Sequence, residues 1–233
     1  MFYEINILHP TLVVNCENAH DYNTSFMHNV WNSFVIAAIT TIICLAIGIL
    51  GSYAMTRLKY PGRSFFRNSI IISYLMPTAV LFVPMYVFVS SLGFYDNKYA
   101  LLIIYPTFVV PYCCYMLISY FKAIPYALEE AALIDGCNRL QTLWYIIMPI
   151  ALPGIAVVAT FAFTMAWNEY LYAMIMTTSN VQKTATVAIS GFKYADSAIW
   201  GRIMSASVVC SLPVTLLYIV AQSMLISGKY EGS

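Results

Sequence analysis

Residues 122–154 read KAIPYALEEAALIDGCNRLQTLWYIIMPIALPG and place a small group of charged residues between two long apolar runs. Pro125 fits the first position of a helix, where its missing N–H costs nothing. Glu129 and Glu130 lie close enough to that N-terminus to interact favourably with the positive end of the helix dipole. Gly136 permits a sharp exit from the helix. The stretch therefore predicts two short helices joined by a glycine turn.

The first of these helices presents a face of small side chains. We call residues 122–145 the two-helix loop. At helical spacing, one stripe of its first helix contains Ala127, Glu130, Ala131 and Ile134. Small residues allow another protein to approach closely, and a carboxylate can pair with a cation across such a contact. A helix lying on the membrane surface is the alternative, but the three acidic and two basic residues of the loop would be repelled by an anionic leaflet.

The composition indicates a membrane protein. Hydrophobic residues make up 61% of the chain and charged residues 9%, and uncharged runs exceed the roughly 20 residues that cross a bilayer. The fold class that we predict is an all-α polytopic membrane protein. The net charge of +1 gives no indication of nucleic-acid binding. The six cysteines show no metal-binding spacing, so we expect inert thiols and no metal.

Five membrane spans are predicted, and a basic cluster orients them. The spans cover about residues 29–56, 68–95, 99–121, 146–176 and 203–226. Arg57, Lys59, Arg63 and Arg67 follow the first span with no acid among them, which marks the cytoplasmic side. We therefore expect residues 1–28 to form an external segment, residues 29–233 to form the transmembrane domain, and the two-helix loop and C-terminus to be cytoplasmic.

Four prolines lie inside the second and third predicted spans. They are Pro77, Pro84, Pro106 and Pro111. Backbone carbonyls freed near a proline must find partners in lipid, so these kinks favour a packed bundle. The prolines either shape the helices or line a transport path, and both interpretations remain open.

A polar group occurs near the predicted outer end of the fourth span. Its members, the candidate pathway or substrate-lining residues, are Trp167, Asn168, Glu169 and Tyr170. Glu169 is the only acid near membrane depth, and an ionisable group there indicates function. The aromatic neighbours indicate instead a position at the wet interface. The sequence does not decide between these two interpretations.

The sequence lacks the motifs of an energy-transducing enzyme. It contains no Gly-x-x-x-x-Gly-Lys-Ser/Thr phosphate loop, and its three histidines have no ligand spacing and no partnering nucleophile. The central apolar runs carry no carboxylates for a proton relay. We therefore expect no catalytic residue and no bound cofactor in this chain, and we expect its energy to come from another protein.

The two-helix loop resembles a family signature. Permease subunits of binding-protein-dependent ATP-binding-cassette (ABC) importers carry Glu-Ala-Ala, three residues, Gly, nine residues, Ile, one residue and Leu-Pro. The matching residues are Glu130, Ala131, Ala132, Gly136, Ile146, Met148 and Pro149. Met148 replaces the leucine and keeps its volume and apolarity. Stretches 57–63 (RLKYPGR), 121–125 (FKAIP), 134–136 (IDG) and 167–170 (WNEY) resemble the carbohydrate-uptake branch, specifically the maltose- and trehalose-type second permease.

This resemblance covers about residues 29–233 and implies a function. The chain would form the translocation pathway for a sugar or small oligosaccharide and couple to a separate ATPase through residues 122–149. The residues implied in ATPase coupling are Glu130, Ala131, Ala132, Asp135, Gly136 and Pro149. The implied partners are a homologous permease, two ATPase subunits that bind ATP and Mg, an external solute-binding protein and membrane lipid.

Two other interpretations remain at this stage. An autonomous secondary transporter or membrane enzyme is one, although the missing relay residues, phosphate loop and metal cluster count against it. A truncated, non-functional permease is the other. The family usually has six membrane helices, and its first helix is not found before residues 1–28.

Overall fold

The computed structural model describes residues 26–194, 197–198 and 200–230, which form a bundle of α-helices. The helices are α1 (Phe26–Arg57), α2 (Arg63–Leu75), α3 (Phe82–Ser91), α4 (Leu101–Ile104), α5 (Pro106–Ala123), α6 (Ala127–Ile134), α7 (Arg139–Thr142), α8 (Met148–Trp167), α9 (Leu171–Met176), α10 (Ala185–Ser190) and α11 (Trp200–Tyr230). Within the described ranges, the only strands are β1 (Lys193–Tyr194) and β2 (Ser197–Ala198), which pair antiparallel. The predicted all-α class is confirmed.

The predicted external segment lies almost entirely outside the described residues. Its last three residues, 26–28, already belong to α1, which is 32 residues long and ends at the charged residue Arg57. Three helical stretches in the described part of the chain are long and apolar enough to cross a membrane, or five if each bent helix pair counts as one span.

Close packing of α1 against α5 forms the centre of the bundle. A Cβ atom added to Gly48 would lie 3.0 Å from Cβ of Cys113, so a glycine is needed at this crossing. Four residues further along α1, the Ser52 hydroxyl donates to the Cys114 carbonyl over 3.1 Å. Helix α8 packs on the same pair.

The second predicted span is broken at Pro77, one of the two prolines expected to interrupt it. Helix α2 ends at Leu75, and the helical segment that follows from Thr78 to Ser91 meets it at 93°. Met76 is extended (φ −70°, ψ 131°), as expected for a residue that precedes a proline, here Pro77. Every residue from Ile72 to Val80 is largely exposed, and the elbow is held by few contacts, among them Tyr74 stacked on Tyr115 and the Tyr172 hydroxyl that donates to the Thr78 carbonyl over 2.9 Å.

The third and fourth predicted spans also differ from the structure at their ends. The helical segment Lys98–Ile104 meets α5 at 41°, with Pro106 at the start of α5. In the fourth, α7 continues through a π-helical turn, Leu143–Ile147, into α8. The helix thus begins at Arg139 rather than near residue 146, because an Asn138/Gln141 capping box starts it there. Helix α8 ends at Trp167. Residues 171–176, which the prediction included in the same span, form the separate helix α9.

The long helices differ in the fraction of their residues that is buried. Of the residues in the most apolar stretch of α1, 39% are buried, and the helix from Arg139 to Trp167 has the same share. The corresponding share in α11 is 6%. Helix α11 therefore lies at the edge of the described bundle, and the part of the chain that the structure describes leaves most of its apolar stretch, Ile203–Ser223, uncovered.

Candidate functional site

Helix α6 is a short segment at one end of the bundle, and backbone hydrogen bonds from Asp135, Gly136 and Cys137 close its C-terminus. It covers Ala127–Ile134, and two carboxylates lie in its first turn. Gly136 has φ +88°, a conformation that L residues rarely adopt, and a Cβ atom there would meet nothing within 4 Å. The glycine is therefore required by the backbone and not by lack of space. The predicted glycine turn lies where the sequence placed it.

The predicted stripe of α6 points away from the bundle. Ala127, Glu130, Ala131 and Ile134 are all exposed, and Ile134 is 86% exposed. Among the other residues implied in coupling, Asp135, Gly136 and Pro149 are also exposed. Ala132 is the exception, because it is buried on the opposite face of α6 and cannot contact a partner directly.

Glu129 differs from its neighbour Glu130 in being completely buried. Its Oε1 atom lies 2.8 Å from Nε of Arg57, the last residue of α1, and the two side chains are 0% and 6% exposed. Nη1 of Arg139 lies 3.9 Å from the other carboxylate oxygen, but that arginine side chain is 46% exposed. The arginine at the end of α1 is thus the main partner of Glu129.

The Arg57 side chain also binds the end of α5. Its Nη2 atom donates to the carbonyl oxygens of Phe121 and Ile124, the latter over 2.7 Å. These carbonyls lie at the C-terminus of α5, where the helix dipole favours a cation. The guanidinium carbon is 5.7 Å from the centroid of the Tyr126 ring. One side chain therefore joins α1, α5, the link between α5 and α6, and α6 itself.

Opposing effects act on the Glu129 carboxyl group. Burial raises the pKa of Glu129, and the guanidinium groups of Arg57 and Arg139 oppose that rise. Sequence reasoning grouped Glu129 with Glu130 as two similar acids. The available signal was helical position, since Glu129 and Ala132 lie three residues apart on the face opposite the exposed stripe.

The candidate pathway residues do not share one exposed surface. Trp167 is 3% exposed, stacks on Phe163, and donates from Nε1 to the Cys210 carbonyl on α11 over 3.2 Å. Asn168 is exposed at the end of α8, and Tyr170 is half-buried.

Glu169 closes the gap between α8 and α9. Its two carboxylate oxygens accept hydrogen bonds from the backbone N–H groups of Tyr172 and Ala173 over 3.0 and 3.1 Å. The Tyr105 hydroxyl donates to the same carboxylate over 3.1 Å. These contacts give Glu169 a structural role as the cap of α9, and they account for an acid at this depth without a solute.

At the opposite end of the bundle from α6, polar groups join the α3–α4 connection to the α9–α10 connection and to helix α1. Asp96 accepts hydrogen bonds from the N–H groups of Thr178 and Ser179, each over 2.8 Å. Lys98 Nζ donates to Asn32 on α1 over 2.7 Å. Partial burial raises the pKa of Asp96, but the hydrogen bonds from Ser179 and Thr178 outweigh it and hold the pKa below its usual value.

An apolar cavity of about 330 Å³ lies between α1, α8 and α11. Its hydroxyl groups, on Thr41 and Thr160, donate to carbonyls of their own helices. Both hydroxyl hydrogens are therefore already engaged, and these two side chains offer a polar solute acceptor oxygens only. Among the residues that the structure describes, no group of three His, Cys, Asp or Glu side chains is arranged to hold a metal ion.

Residues 45–227 match the profile of the family described as "Binding-protein-dependent transport system inner membrane component". The inner membrane ABC transporter permease protein YcjP of Escherichia coli K12 is 35% identical over 97% of this chain and 83% of its own length. The trehalose/maltose permease MalG of Thermococcus litoralis is 32% identical over 87% and 73%. The trehalose permease SugB of Mycobacterium tuberculosis is 30% identical over 87% and 74%.

Solved structures show the same fold. A bacterial ABC transporter that imports the acidic polysaccharide alginate superposes with a TM-score of 0.70 at 22% identity, over 85% of this chain and 74% of that one. An inward-facing MetNI methionine ABC transporter superposes with a TM-score of 0.68 at 17% identity, over 87% and 94%.

Proposed function

Because this chain belongs to the family of binding-protein-dependent transport system inner membrane components, we propose that it is a permease subunit that carries a sugar or small oligosaccharide across the cell membrane. The similarity to named sugar permeases carries the substrate class, since two relatives of at least 30% identity are named for trehalose or maltose transport. The chain forms the translocation pathway together with a homologous permease. An external solute-binding protein delivers the sugar.

In this proposal the exposed stripe of α6 docks a separate ATPase. Glu130 and Asp135 offer carboxylates to arginine or lysine residues, and the small side chain of Ala131 allows close approach. Gly136 sets the direction in which the chain leaves α6. Pro149 is exposed near the start of α8, beyond α7. In this proposal it contacts the ATPase only at the edge of the docking surface. ATP and Mg bind to two ATPase subunits, and this chain catalyses no reaction.

The orientation follows from the docking. The two-helix loop and the C-terminus lie in the cytoplasm, and the connecting segments around Asp96 and Thr178 face outward. Ala132 contributes indirectly in this scheme, because it is buried beside Glu129 and keeps α6 close to the bundle. The residues Trp167, Asn168, Glu169 and Tyr170 lie near the outward end, where only Asn168 is well placed to contact a passing solute.

The proposal is tested with the whole importer. We would co-express the chain with a second permease, an ATPase and a solute-binding protein from the same organism, and measure uptake of a panel of labelled sugars by proteoliposomes. We expect ATP-dependent uptake of at least one sugar, and loss of ATPase co-purification in Glu130→Ala. Lys122→Ala removes an exposed charge outside the stripe and serves as the control. Uptake by the single chain without an ATPase would contradict the proposal and favour an autonomous transporter.

A further inference from the structure

Helix α6 has two kinds of attachment to the rest of the bundle. In sequence it is joined to α5 by a short link at residues 124–126 and to α7 through Gly136 and Asn138. In space it packs on α7 and the π-helical turn, and it binds α1 through the ion pair of Glu129 with Arg57. Of these attachments, the ion pair is the one that connects α6 to a helix distant in sequence, and it does so through two buried charges 2.8 Å apart.

A buried ion pair suits the transmission of position better than it suits stability. Removing two charges from water costs so much that well-packed apolar residues often stabilise a protein as well or better. Apolar side chains, however, can slide past one another at little cost, whereas separating two buried opposite charges leaves each without its partner and is strongly unfavourable. The Arg57 side chain is also fixed by the carbonyls of Phe121 and Ile124, so the position of the charge that faces Glu129 is set by α1 and α5 together.

We propose that Arg57 and Glu129 are positioning residues that lock α6 to α1 and α5, so that a displacement of α6 by the ATPase moves the membrane helices with it. This inference rests on the function proposed above, because it assumes that the exposed stripe of α6 is the docking surface. The two faces of α6 thus have different functions. Glu130 binds the ATPase on one side, and Glu129 passes the movement to the bundle on the other.

Without the lock, α6 keeps its docking face but follows the ATPase alone. Gly136 on one side and the short link on the other allow α6 to tilt while α1 stays in place. ATP would then be hydrolysed without sugar movement. We therefore expect Glu129→Gln, which keeps the size of the side chain and removes its charge, to lower the number of sugars imported per ATP hydrolysed by about tenfold.

The double variant Arg57→Met/Glu129→Leu separates positioning from folding. It replaces the pair with apolar side chains of similar length, which should restore assembly if single removal of a charge harms it. We expect this variant to assemble with the ATPase and hydrolyse ATP, yet to keep the low ratio of sugar to ATP. Lys59→Met removes an exposed cation two residues from Arg57 and should leave the ratio unchanged.

The experiment measures ATPase co-purification, ATP hydrolysis and sugar uptake for each variant of the reconstituted importer. A normal sugar-to-ATP ratio in the double variant would overturn the proposal, and so would a failure of both variants to assemble, since the pair would then serve folding alone. Loss of ATPase binding distinguishes a docking defect from a transmission defect. Glu130→Ala should lose the ATPase, whereas the Glu129 variants should retain it. If Glu130→Ala has no effect, the docking surface is wrong and the function proposed above fails separately.

Discussion

Two adjacent carboxylates on α6 experience opposite surroundings. Glu130 is exposed to solvent, and Glu129 is enclosed with Arg57 and inaccessible to water. Successive residues of an α-helix point about 100° apart, which is enough to carry one side chain outward and the next toward the bundle. The same chemical group therefore serves as an exposed anion at one position and as a buried partner of a cation at the other.

Alanine substitutions of Glu129 and Glu130 should lower the free energy of unfolding by different amounts. Glu129→Ala leaves the Arg57 charge buried without its partner, so we expect a loss of about 3–5 kcal/mol. Glu130→Ala removes an exposed side chain and should change stability by no more than about 0.5 kcal/mol. Thermal unfolding of the purified chain in detergent, followed by circular dichroism, measures both. Equal transition temperatures for the two variants would contradict the buried ion pair.

The Asp96 carboxylate should make the loop at the opposite end of the bundle sensitive to acid. Its pKa is lower in the folded chain than in the unfolded chain, so its contribution is complete above the unfolded value and is lost as the pH falls through the folded value. We expect hydrogen exchange at Thr178 and Ser179 to accelerate below about pH 4.

In Asp96→Asn the side chain no longer titrates in this range. The residue has φ 51°, a conformation that asparagine tolerates as well as aspartate, so the backbone should be preserved. Exchange at the two amides should then be faster at neutral pH and should lose its acid dependence, apart from the intrinsic chemistry of exchange. An unchanged acid profile in the variant would show that another group controls the loop.

The sequence predicted the exposed part of this site better than its buried part. Helical periodicity was enough to place Ala127, Glu130 and Ala131 on one face, because that property is local. The partner of Glu129 lies on another helix and depends on how α1, α5 and α6 meet. Glu169 was ambiguous for a similar reason, since the N–H groups that it caps appear only because the chain breaks after Trp167.

At the scale of helices, the crossing of α1 and α5 depends on the position of one glycine. A Cβ atom at Gly48 would be 3.0 Å from Cβ of Cys113, whereas a Cβ atom at Gly51 would be 3.7 Å from its nearest neighbours, the flexible side chains of Cys114 and Met55. The two glycines lie on the same helix, so they form a matched pair.

We expect Gly48→Val to destabilise the chain by about 1–3 kcal/mol because it forces α1 and α5 apart. Gly51→Val should cost less than about 1 kcal/mol, since the facing side chains can move. Thermal unfolding in detergent compares them. A larger loss for the Gly51 variant would show that the helices cross elsewhere.

The four prolines predicted that the second and third spans bend, but they did not predict at which proline each bend occurs. The chain turns sharply at Pro77 and bends at Pro106, whereas Pro84 and Pro111 lie within helices. Pro84 is in the first turn of α3, where a missing N–H leaves no bond unmade. The sequence alone does not show where a helix begins, so it cannot tell which proline falls at a tolerated position.

For the whole molecule, α11 has a surface that the described part of the chain leaves uncovered, and under the function proposed above this is where the homologous permease would pack. Leu212 is 53% exposed, and Ala206 on the same helix is 0% exposed. If the homologous permease covers α11, a photo-crosslinking residue at Leu212 should form an adduct between the two permeases in the assembled importer. The same residue at Ala206 should give none, because it faces this chain. Absence of the adduct at Leu212 would assign that face to lipid.

The bond between Arg57 and the end of α5 also sets an order of events during synthesis. Phe121 is made 64 residues after Arg57, which at about 5–20 residues per second is a delay of roughly 3–13 s. During that interval the guanidinium at the end of α1 cannot reach the carbonyls of Phe121 and Ile124, so water or lipid headgroups must solvate it. Closing the end of the bundle therefore requires this cation to exchange solvent for backbone carbonyls after α5 has been made.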